Sequence, residues 1–352
     1  MKKTLLAVVL PSLMFAGSVS AATVYKSEEG NAEFYGQLRT ELKKKPNKEV
    51  TLGAGSSRAG VKAEYQLVED IKVFGKVEFG LQGSGDYVMK NRLHYAGISG
   101  DFGKITIGRQ WIVSDDTYGA DYSYFFGGSG MRHATLSGAR HDSLIKYNYT
   151  HDSFWIAANY GLDQDDTHQE LAELYAGTAF GDLTLHFGGG QNTSKGHKVG
   201  SDDSDPANVK DVTADLRNTF FEGTIEYKFG DAQVGATYYN ALVEDLNSPA
   251  QIDENAFSLA GMYSISDKAT VYSGFEYVSQ KTSGLDTEDG DGKNVYLGTV
   301  YKFNSWARIY GEVGHGKGTT TGFTNRGSDS FVGPTSVKDG ETNFAIGARL
   351  YW

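Results

Sequence analysis

Three acidic side chains lie in one long segment of the sequence, and four arginines stand elsewhere in the chain. The segment runs from Trp111 to Ala139 and is far longer than a hairpin turn needs. Its carboxylates are Asp115, Asp116 and Asp121. The arginines are Arg39, Arg58, Arg92 and Arg140. If the two groups faced each other across water, their field would order the water and filter solutes by size and charge, without a saturable binding site.

The Trp111–Ala139 segment also contains residues that suit close packing against a wall. Among them are the rings of Tyr122, Tyr124, Phe125 and Phe126 and the glycines Gly127, Gly128 and Gly130. We interpret this segment as a constriction loop that folds into a lumen. An ordinary exposed loop with solvated acids is the alternative. Arginines at inward strand positions favour the constriction loop, although each could simply form an ion pair with a neighbour such as Glu41 or Glu64.

Alternation of apolar and polar residues predicts the strands that would carry these arginines. In the stretch Ser57–Leu67, the alternate residues Ala59 to Leu67 are apolar and those between them are charged or polar. The same period of two recurs in Phe34–Lys43, Val73–Gln82 and Phe344–Trp352. A period of two is typical of a strand with one apolar and one polar face. The four arginines fall on the polar faces.

Short turns and longer polar connections alternate along the chain. We predict tight turns at seven places: Val68–Asp70, Gly100–Gly103, His151–Asp152, Gly181–Asp182, Gly230–Asp231, Ser266–Asp267 and Asn304–Ser305. Aromatic residues cluster beside them, as at Tyr227 and Phe229, where an interfacial girdle would lie. Longer connections rich in Asp, Ser and Gly are predicted at Asn192–Asp215 and Ser283–Asp291. Seven turns join fourteen strands, and a first and a last strand that close the sheet make sixteen.

The strands favour a transmembrane barrel over a soluble β-sandwich or lectin-like domain. A closed barrel satisfies every backbone group and leaves no edge, as a bilayer requires. Its apolar face would contact lipid and its polar face would line water, which suits arginines that lipid cannot accommodate unpaired. We therefore expect an all-β, sixteen-stranded antiparallel barrel with short periplasmic turns, long extracellular loops and the third loop folded into the lumen.

The composition and the amino-terminal residues indicate the cellular compartment of the protein. The chain has 352 residues, no Cys, 45 Gly, 22 Tyr, 19 Phe and a net charge of -11. It therefore lacks the disulfides, thiolates and cysteine zinc sites that some secreted proteins use, and it has no basic face for nucleic acid. Residues 1–21 have the positive, apolar and small-residue regions of a cleaved signal peptide. Residues 22–352 would then form an exported barrel domain. The net negative charge of this domain predicts a weak preference for cations.

Several short stretches resemble the general trimeric porins of Gram-negative outer membranes. The first-strand residues are Val24, Tyr25, Lys26, Phe34, Tyr35 and Gly36, and the second-strand residues are Ser57 to Lys62. Phe74 to Glu78, Asn91 to Leu93 and Gly108–Arg109 also fit, and the family's Pro-Glu-Phe-Gly-Gly loop motif is here Tyr124 to Gly128. The resemblance implies a homotrimer in contact with outer-membrane lipid and lipopolysaccharide. It also implies Arg58, Arg92 and Arg140 as the basic cluster, with Asp121 and Glu78 as acidic partners.

This sequence departs from the family pattern at four places. Phe125 replaces the loop glutamate, which weakens the acidic side and narrows the passage with a ring instead. Gln37 stands in place of a lysine, although Arg39 keeps a cation on the same face. Gly83–Lys90 is shorter than the loop that latches onto a neighbouring subunit, and Trp352 replaces the terminal Phe.

The function we expect is passive diffusion of ions and small hydrophilic solutes through a water-filled channel, without cofactor or bound metal. A barrel enzyme of the hydrolase type and a sugar-specific channel are the alternatives. The enzyme lacks an evident nucleophile elbow, and the sugar channel lacks an aromatic ladder that can be placed along the lumen. The stretch Gly311–Gly318 nearly spells a phosphate loop, but it continues a strand and opens no helix.

Overall fold

A computed structural model describes most of the chain beyond its amino terminus. The described residues are 21–82, 88–128, 136, 138–163, 170–202, 210–286, 288–318 and 337–352. The predicted signal peptide, apart from Ala21, lies outside them, as do Gly130 and most of the Gly83–Lys90 loop. The predicted signal cleavage therefore stays a prediction.

The described residues form eighteen strands and one short helix. The strands are β1 (Ala22–Lys26), β2 (Gly30–Lys44), β3 (Thr51–Gly53), β4 (Arg58–Val68), β5 (Ile71–Gln82), β6 (Val88–Gly100), β7 (Gly103–Trp111), β8 (Arg140–Thr150), β9 (Phe154–Gly161), β10 (Glu170–Phe180), β11 (Leu183–Asp202), β12 (Lys210–Phe229), β13 (Ala232–Asp245), β14 (Gln251–Ser264), β15 (Ala269–Ser283), β16 (Gly290–Asn304), β17 (Ala307–Gly318) and β18 (Val337–Tyr351). The helix α1 (Val113–Thr117) follows β7. Helices in the described part of the chain are too short and too polar to cross a membrane.

Sixteen of these strands form a closed antiparallel ring. Each strand from β4 to β18 pairs with the next along the chain. Strand β2 closes the ring, because its first half pairs with β4 and its second half with β18. The short strands β1 and β3 extend the two flanks of β2. The predicted sixteen-stranded barrel is confirmed.

The two faces of the wall differ as the alternation predicts. Apolar side chains point outward and stay exposed, among them Val61 (46%), Leu38 (46%) and Ile346 (63%). Polar and charged side chains such as Asn218 and Glu276 point inward and are buried. The girdle rings Tyr227 and Phe229 are exposed and contact each other beside the β12–β13 turn. A closed sheet with an apolar exterior is the form that a bilayer accepts.

The connections agree with the prediction on one side of the barrel and differ in part on the other. All seven short turns are present between the expected strands. The predicted long loop Asn192–Asp215 is wrong, because β11 and β12 stay paired as far as Asp202 and Lys210. A polar composition does not end a ladder when each backbone N–H and C=O still gains a partner from the neighbouring strand. The loop predicted at Ser283–Asp291 is shorter in the structure than in the prediction, since β16 already begins at Gly290.

Candidate functional site

The segment after β7 enters the barrel and lies along its inner wall. Its backbone and side chains contact residues far away in sequence, on strands from β8 to β17. The predicted constriction loop is therefore folded into the lumen. Below, "constriction loop" means residues Ile112–Gly128, the part of the segment that the structure describes without a gap.

The first anchor of the constriction loop holds the start of α1 against β9 and β10. The Val113 N–H donates to Asn159 Oδ1 at 2.7 Å and to Glu173 Oε2 at 2.8 Å. The Ser114 hydroxyl donates to the other oxygen of Glu173. The first N–H groups of a helix have no partner within the helix. The buried Glu173 carboxylate therefore satisfies donors that would otherwise face the wall unpaired.

The second anchor lies on β12, β13 and β14. The Ala120 N–H donates to Thr237 Oγ1 at 2.7 Å, and its carbonyl accepts from Ser258 Oγ at 3.1 Å. The Tyr122 hydroxyl donates to Glu226 Oε1 at 2.6 Å. Gly235 lies beneath this turn, where a Cβ atom would be only 2.7 Å from the Ala120 Cβ. A glycine is needed there for the loop to come this close.

The third anchor is one carboxylate on β17 that binds three consecutive backbone N–H groups. Glu312 accepts from Tyr124 at 2.6 Å, from Phe125 at 3.2 Å and from Phe126 at 2.7 Å. The Tyr272 hydroxyl donates to the same carboxylate at 2.8 Å. Four donors therefore converge on this one side chain. Glu312 therefore fixes the aromatic part of the constriction loop in place.

The glycine end of the loop is held by β15 and β16. Gly128 N–H donates to Glu276 Oε1 at 2.7 Å, and Asn294 Nδ2 donates to the Phe126 carbonyl at 2.6 Å. The predicted packing residues Phe126 and Gly127 are buried, while Phe125 and Gly128 are half-buried. The Phe125 ring lies 5.3 Å from that of Tyr310 and under the Lys43 ammonium.

The three predicted acids of the loop do not all face the lumen. Asp116 is exposed and forms an ion pair with Lys146 of β8. Asp115 is half-buried in α1. Asp121 accepts from the Ser123 N–H at 2.9 Å and from its hydroxyl at 3.1 Å, which closes a turn within the loop. Burial of this carboxyl raises its pKa above the usual range.

Four wall acids that sequence reasoning missed hold the constriction loop. They are Glu173, Glu226, Glu276 and Glu312. The available signal was the inward phase of each one on its strand, since alternation alone places all four on the lumenal face. What alternation cannot tell is that groups of the loop, and not a solute, bind these acids. Backbone N–H groups bind Glu173, Glu276 and Glu312, and the Tyr122 hydroxyl binds Glu226.

The predicted basic residues gather on the wall around β2, β4, β6 and β8. Glu78 joins two of them, because its carboxylate lies 2.9 Å from Arg92 Nε and 3.8 Å from Arg58 Nε. The expected alternative partners are used elsewhere: Glu41 pairs with Lys43, and Glu64 pairs with Lys72. Glu78 thus lies within the basic cluster and offsets part of its charge.

Local irregularities aim the arginines into the lumen. Arg92 is the extra residue of a β-bulge in β6. On the neighbouring strand β5, Glu78 pairs with Leu93 and the next residue, Phe79, already pairs with Asn91. Such a bulge redirects a side chain. Gly80 makes room for it, since a Cβ there would be 2.4 Å from Arg92 Cδ. Trp111, which the sequence did not single out, lies under Arg92 at 5.3 Å and under Arg140 at 4.4 Å.

The basic cluster continues onto the last two strands through two further arginines. Arg349 of β18 faces Arg39 directly in the ladder, and Arg308 of β17 faces Arg349. Neither Arg308 nor Arg349 was among the predicted site residues. The register between the first and last strands, which brings them beside Arg39, is a property of barrel closure that no local pattern carries.

Comparison with known proteins identifies the family of this barrel. The sequence model described as Gram-negative porin matches residues 4–321. The chain belongs to the Gram-negative porin family. Among its relatives, this porin is 26% identical to the major outer membrane protein of Pasteurella multocida strain Pm70, over 90% of this chain and 94% of that one. Such relatives and the closed barrel place this porin in the outer membrane.

Solved structures give the same result. The porin matches in-vitro folded OmpT, an outer membrane protein of Vibrio cholerae, with 52% identity and a TM-score of 0.85 over 93% of this chain and 99% of that one. A trimer form of the same Vibrio cholerae protein matches with 53% identity and a TM-score of 0.85, over 92% of this chain and all of that one.

Proposed function

We propose that this porin is a passive diffusion channel for ions and small hydrophilic solutes, filtered by size and charge at the constriction loop. One observation carries the proposal: the loop lies inside the lumen on anchors at Glu173, Glu226, Glu276 and Glu312, and arginines line the wall beside it. A pore of this width needs an internal element to narrow it. The seated loop is that element.

The charges at the constriction are divided unequally between its two sides. Asp116 pairs with Lys146, Asp121 accepts from Ser123 and Asp115 is half-buried in α1. By contrast, Arg39, Arg58, Arg92 and Arg140 line the wall. Glu78 offsets Arg58 and Arg92 in part. Arginine side chains would therefore dominate the field that a passing solute meets.

Reconstitution into a planar bilayer tests the channel directly. Purified protein should produce stepwise conductance with an ohmic current–voltage relation. Absence of channels from folded protein would refute the proposal and leave a barrel enzyme as the explanation. A block of conductance by sugars that saturates would point instead to a sugar-specific channel.

The arginine cluster provides a second test of the filter. Replacement of Arg58, Arg92 and Arg140 by Ala should raise both the preference for cations and the size of the largest solute that passes. The preference is measured as the reversal potential across a salt gradient, and the size by liposome swelling with neutral sugars. Unchanged values for both would mean that the arginines serve the barrel and not the filter.

The mature protein on this proposal starts at Ala22 and assembles as a homotrimer in contact with lipid and lipopolysaccharide. The trimer form of the Vibrio cholerae relative supports the assembly. Amino-terminal sequencing of protein from outer membranes should begin at Ala22. Unheated gel samples should migrate as a trimer and heated samples as a monomer; a monomer in both would contradict the assembly.

A further inference from the structure

Three arginines form one row across adjacent strands of the inner wall. Arg308 on β17 faces Arg349 on β18, and Arg349 faces Arg39 on β2. Residues directly opposite in an antiparallel ladder have Cα atoms about 4.5–5.5 Å apart. Like charges in that position destabilise a sheet. Arg39 and Arg349 therefore repel each other unless negative charge lies close to both.

The neighbouring acids are already engaged with other cations. Glu41 is 3.1 Å from the Lys43 ammonium and accepts from the Tyr310 hydroxyl at 3.2 Å. Glu78 is bound by Arg58 and Arg92. Among the described residues, no carboxylate lies within 4.0 Å of the guanidinium of Arg39 or Arg349. The charge of Arg39 is close enough to those of Arg349 and Arg58 for mutual repulsion, which the more distant charge of Glu41 offsets in part.

The same two arginines have donors with no acceptor. The Nε atoms of Arg39 and Arg349 are both buried, and neither has a hydrogen-bond partner within the part of the chain that the structure describes. Most buried polar groups are satisfied, and ordered water or an ion is the usual partner of those that bind no protein group. Two such donors on adjacent strands are placed to share one ligand that accepts from both.

Aromatic rings hold Arg349 in position for such a ligand. Its guanidinium lies 5.4 Å from the Tyr124 ring and 5.3 Å from the Tyr310 ring, and its Nη1 donates to the Tyr351 hydroxyl at 3.1 Å. A ring face stabilises a cation without neutralising its charge. The arginine is therefore fixed but still able to bind an anion.

We infer that Arg39 and Arg349 form a binding subsite for a compact oxyanion, such as inorganic phosphate, sulfate or the head of a phosphate or sulfate monoester. The planar fork of N–H donors on each guanidinium matches the paired oxygens of such groups, whereas chloride is a single acceptor atom without this bidentate match. The subsite rests on the proposed channel function, because the ligand reaches it through the lumen. It adds a saturable site for one class of anion to a filter that otherwise acts by size and charge.

Single-channel recording in two salts tests the subsite. Conductance of the unaltered protein should rise linearly with KCl but level off with increasing potassium sulfate or potassium phosphate, because a bound oxyanion must leave before the next can pass. Arg349→Gln should raise the half-saturating sulfate concentration at least about tenfold, as loss of a charge-assisted contact implies. Arg39→Gln should do the same, and Arg349→Lys, which keeps the charge but loses the fork, should give an intermediate value.

Lys104→Gln is the matched control, since it removes one exposed cation from the inner face of β7, outside the arginine row. It should leave the sulfate saturation unchanged. Channels whose sulfate conductance stays linear in the unaltered protein would overturn the subsite while leaving the channel function intact. Saturation that Arg349→Gln and Lys104→Gln shift equally would also overturn it, because bulk lumenal charge would then explain the effect. Failure to form channels at all would instead refute the proposed function.

Discussion

Removal of the Glu312 side chain should release the aromatic part of the constriction loop. This carboxylate accepts from the N–H groups of Tyr124, Phe125 and Phe126 and from the Tyr272 hydroxyl. In Glu312→Ala all four donors lose their acceptor at once. The barrel wall keeps its backbone ladder at this position, where Glu312 faces Gly298 and Ala345. The expected effect is therefore on the loop and not on barrel closure.

The size of the effect follows from the three backbone donors. A buried donor that loses its partner costs about 1–3 kcal/mol, and water in the lumen replaces part of the lost bonding. With about 1 kcal/mol for each N–H, the seated loop loses about 3 kcal/mol. That energy raises the ratio of displaced to seated loop about a hundredfold.

Hydrogen exchange followed by mass spectrometry measures this ratio on peptides that cover residues 122–128. Glu312→Ala should speed amide exchange there about a hundredfold and raise the open-channel noise in bilayers. Glu33→Ala is the control, because Glu33 is a lumenal acid that pairs with Lys62 and does not bind the loop. Exchange within threefold of the unaltered protein, in a variant that still shows heat-modifiable mobility, would refute the assigned role of Glu312.

Two further perturbations act on the same loop. Gly314→Val places a side chain where a Cβ would be 2.5 Å from the Phe126 Cβ, so we expect a displaced loop and altered conductance; Gly311→Val, on the same strand but with 3.7 Å to the nearest atom, should leave conductance unchanged. The raised pKa of Asp121 means that the seated loop binds a proton more tightly than the released loop does, where the pKa is near 4. Acidification from neutral pH through that raised pKa should therefore favour the seated loop and lower the open-channel noise, and Asp121→Asn should remove this dependence; noise that changes equally with pH in both proteins would contradict the assignment.

The sequence predicts the wall better than the loop, for a physical reason. Alternation along Ser57–Leu67 identifies which side chains face lipid, because each residue's face depends only on its own position in the strand. The seven turns follow from residues adjacent in sequence. The anchors do not: Glu312 and Phe126 are 186 positions apart, and their contact depends on closure of the whole ring.

Contacts made in the folded state also explain why the acids of the loop were a poor guide to the free charge in the lumen. Asp121 has the spacing of a lumenal acid, but the adjacent Ser123 offers it two donors and turns it into the loop. Glu312 and Glu276 have the phase of lumenal acids, but loop amides occupy them. Residue type and phase give the face of a side chain, whereas its free charge depends on which groups the fold brings against it.

Three wall acids bind the backbone of the constriction loop, and these contacts affect the expected ion preference. Glu173, Glu276 and Glu312 on the wall bind backbone N–H groups of the constriction loop. Within the described part of the chain, no backbone element engages Arg39 and Arg349 in the same way, and the rings beside Arg349 leave its charge intact. The net charge of -11 therefore describes the chain as a whole and not its narrowest part. On the proposed function, seating the loop engages the wall acids and thereby leaves the arginines to act on passing solutes.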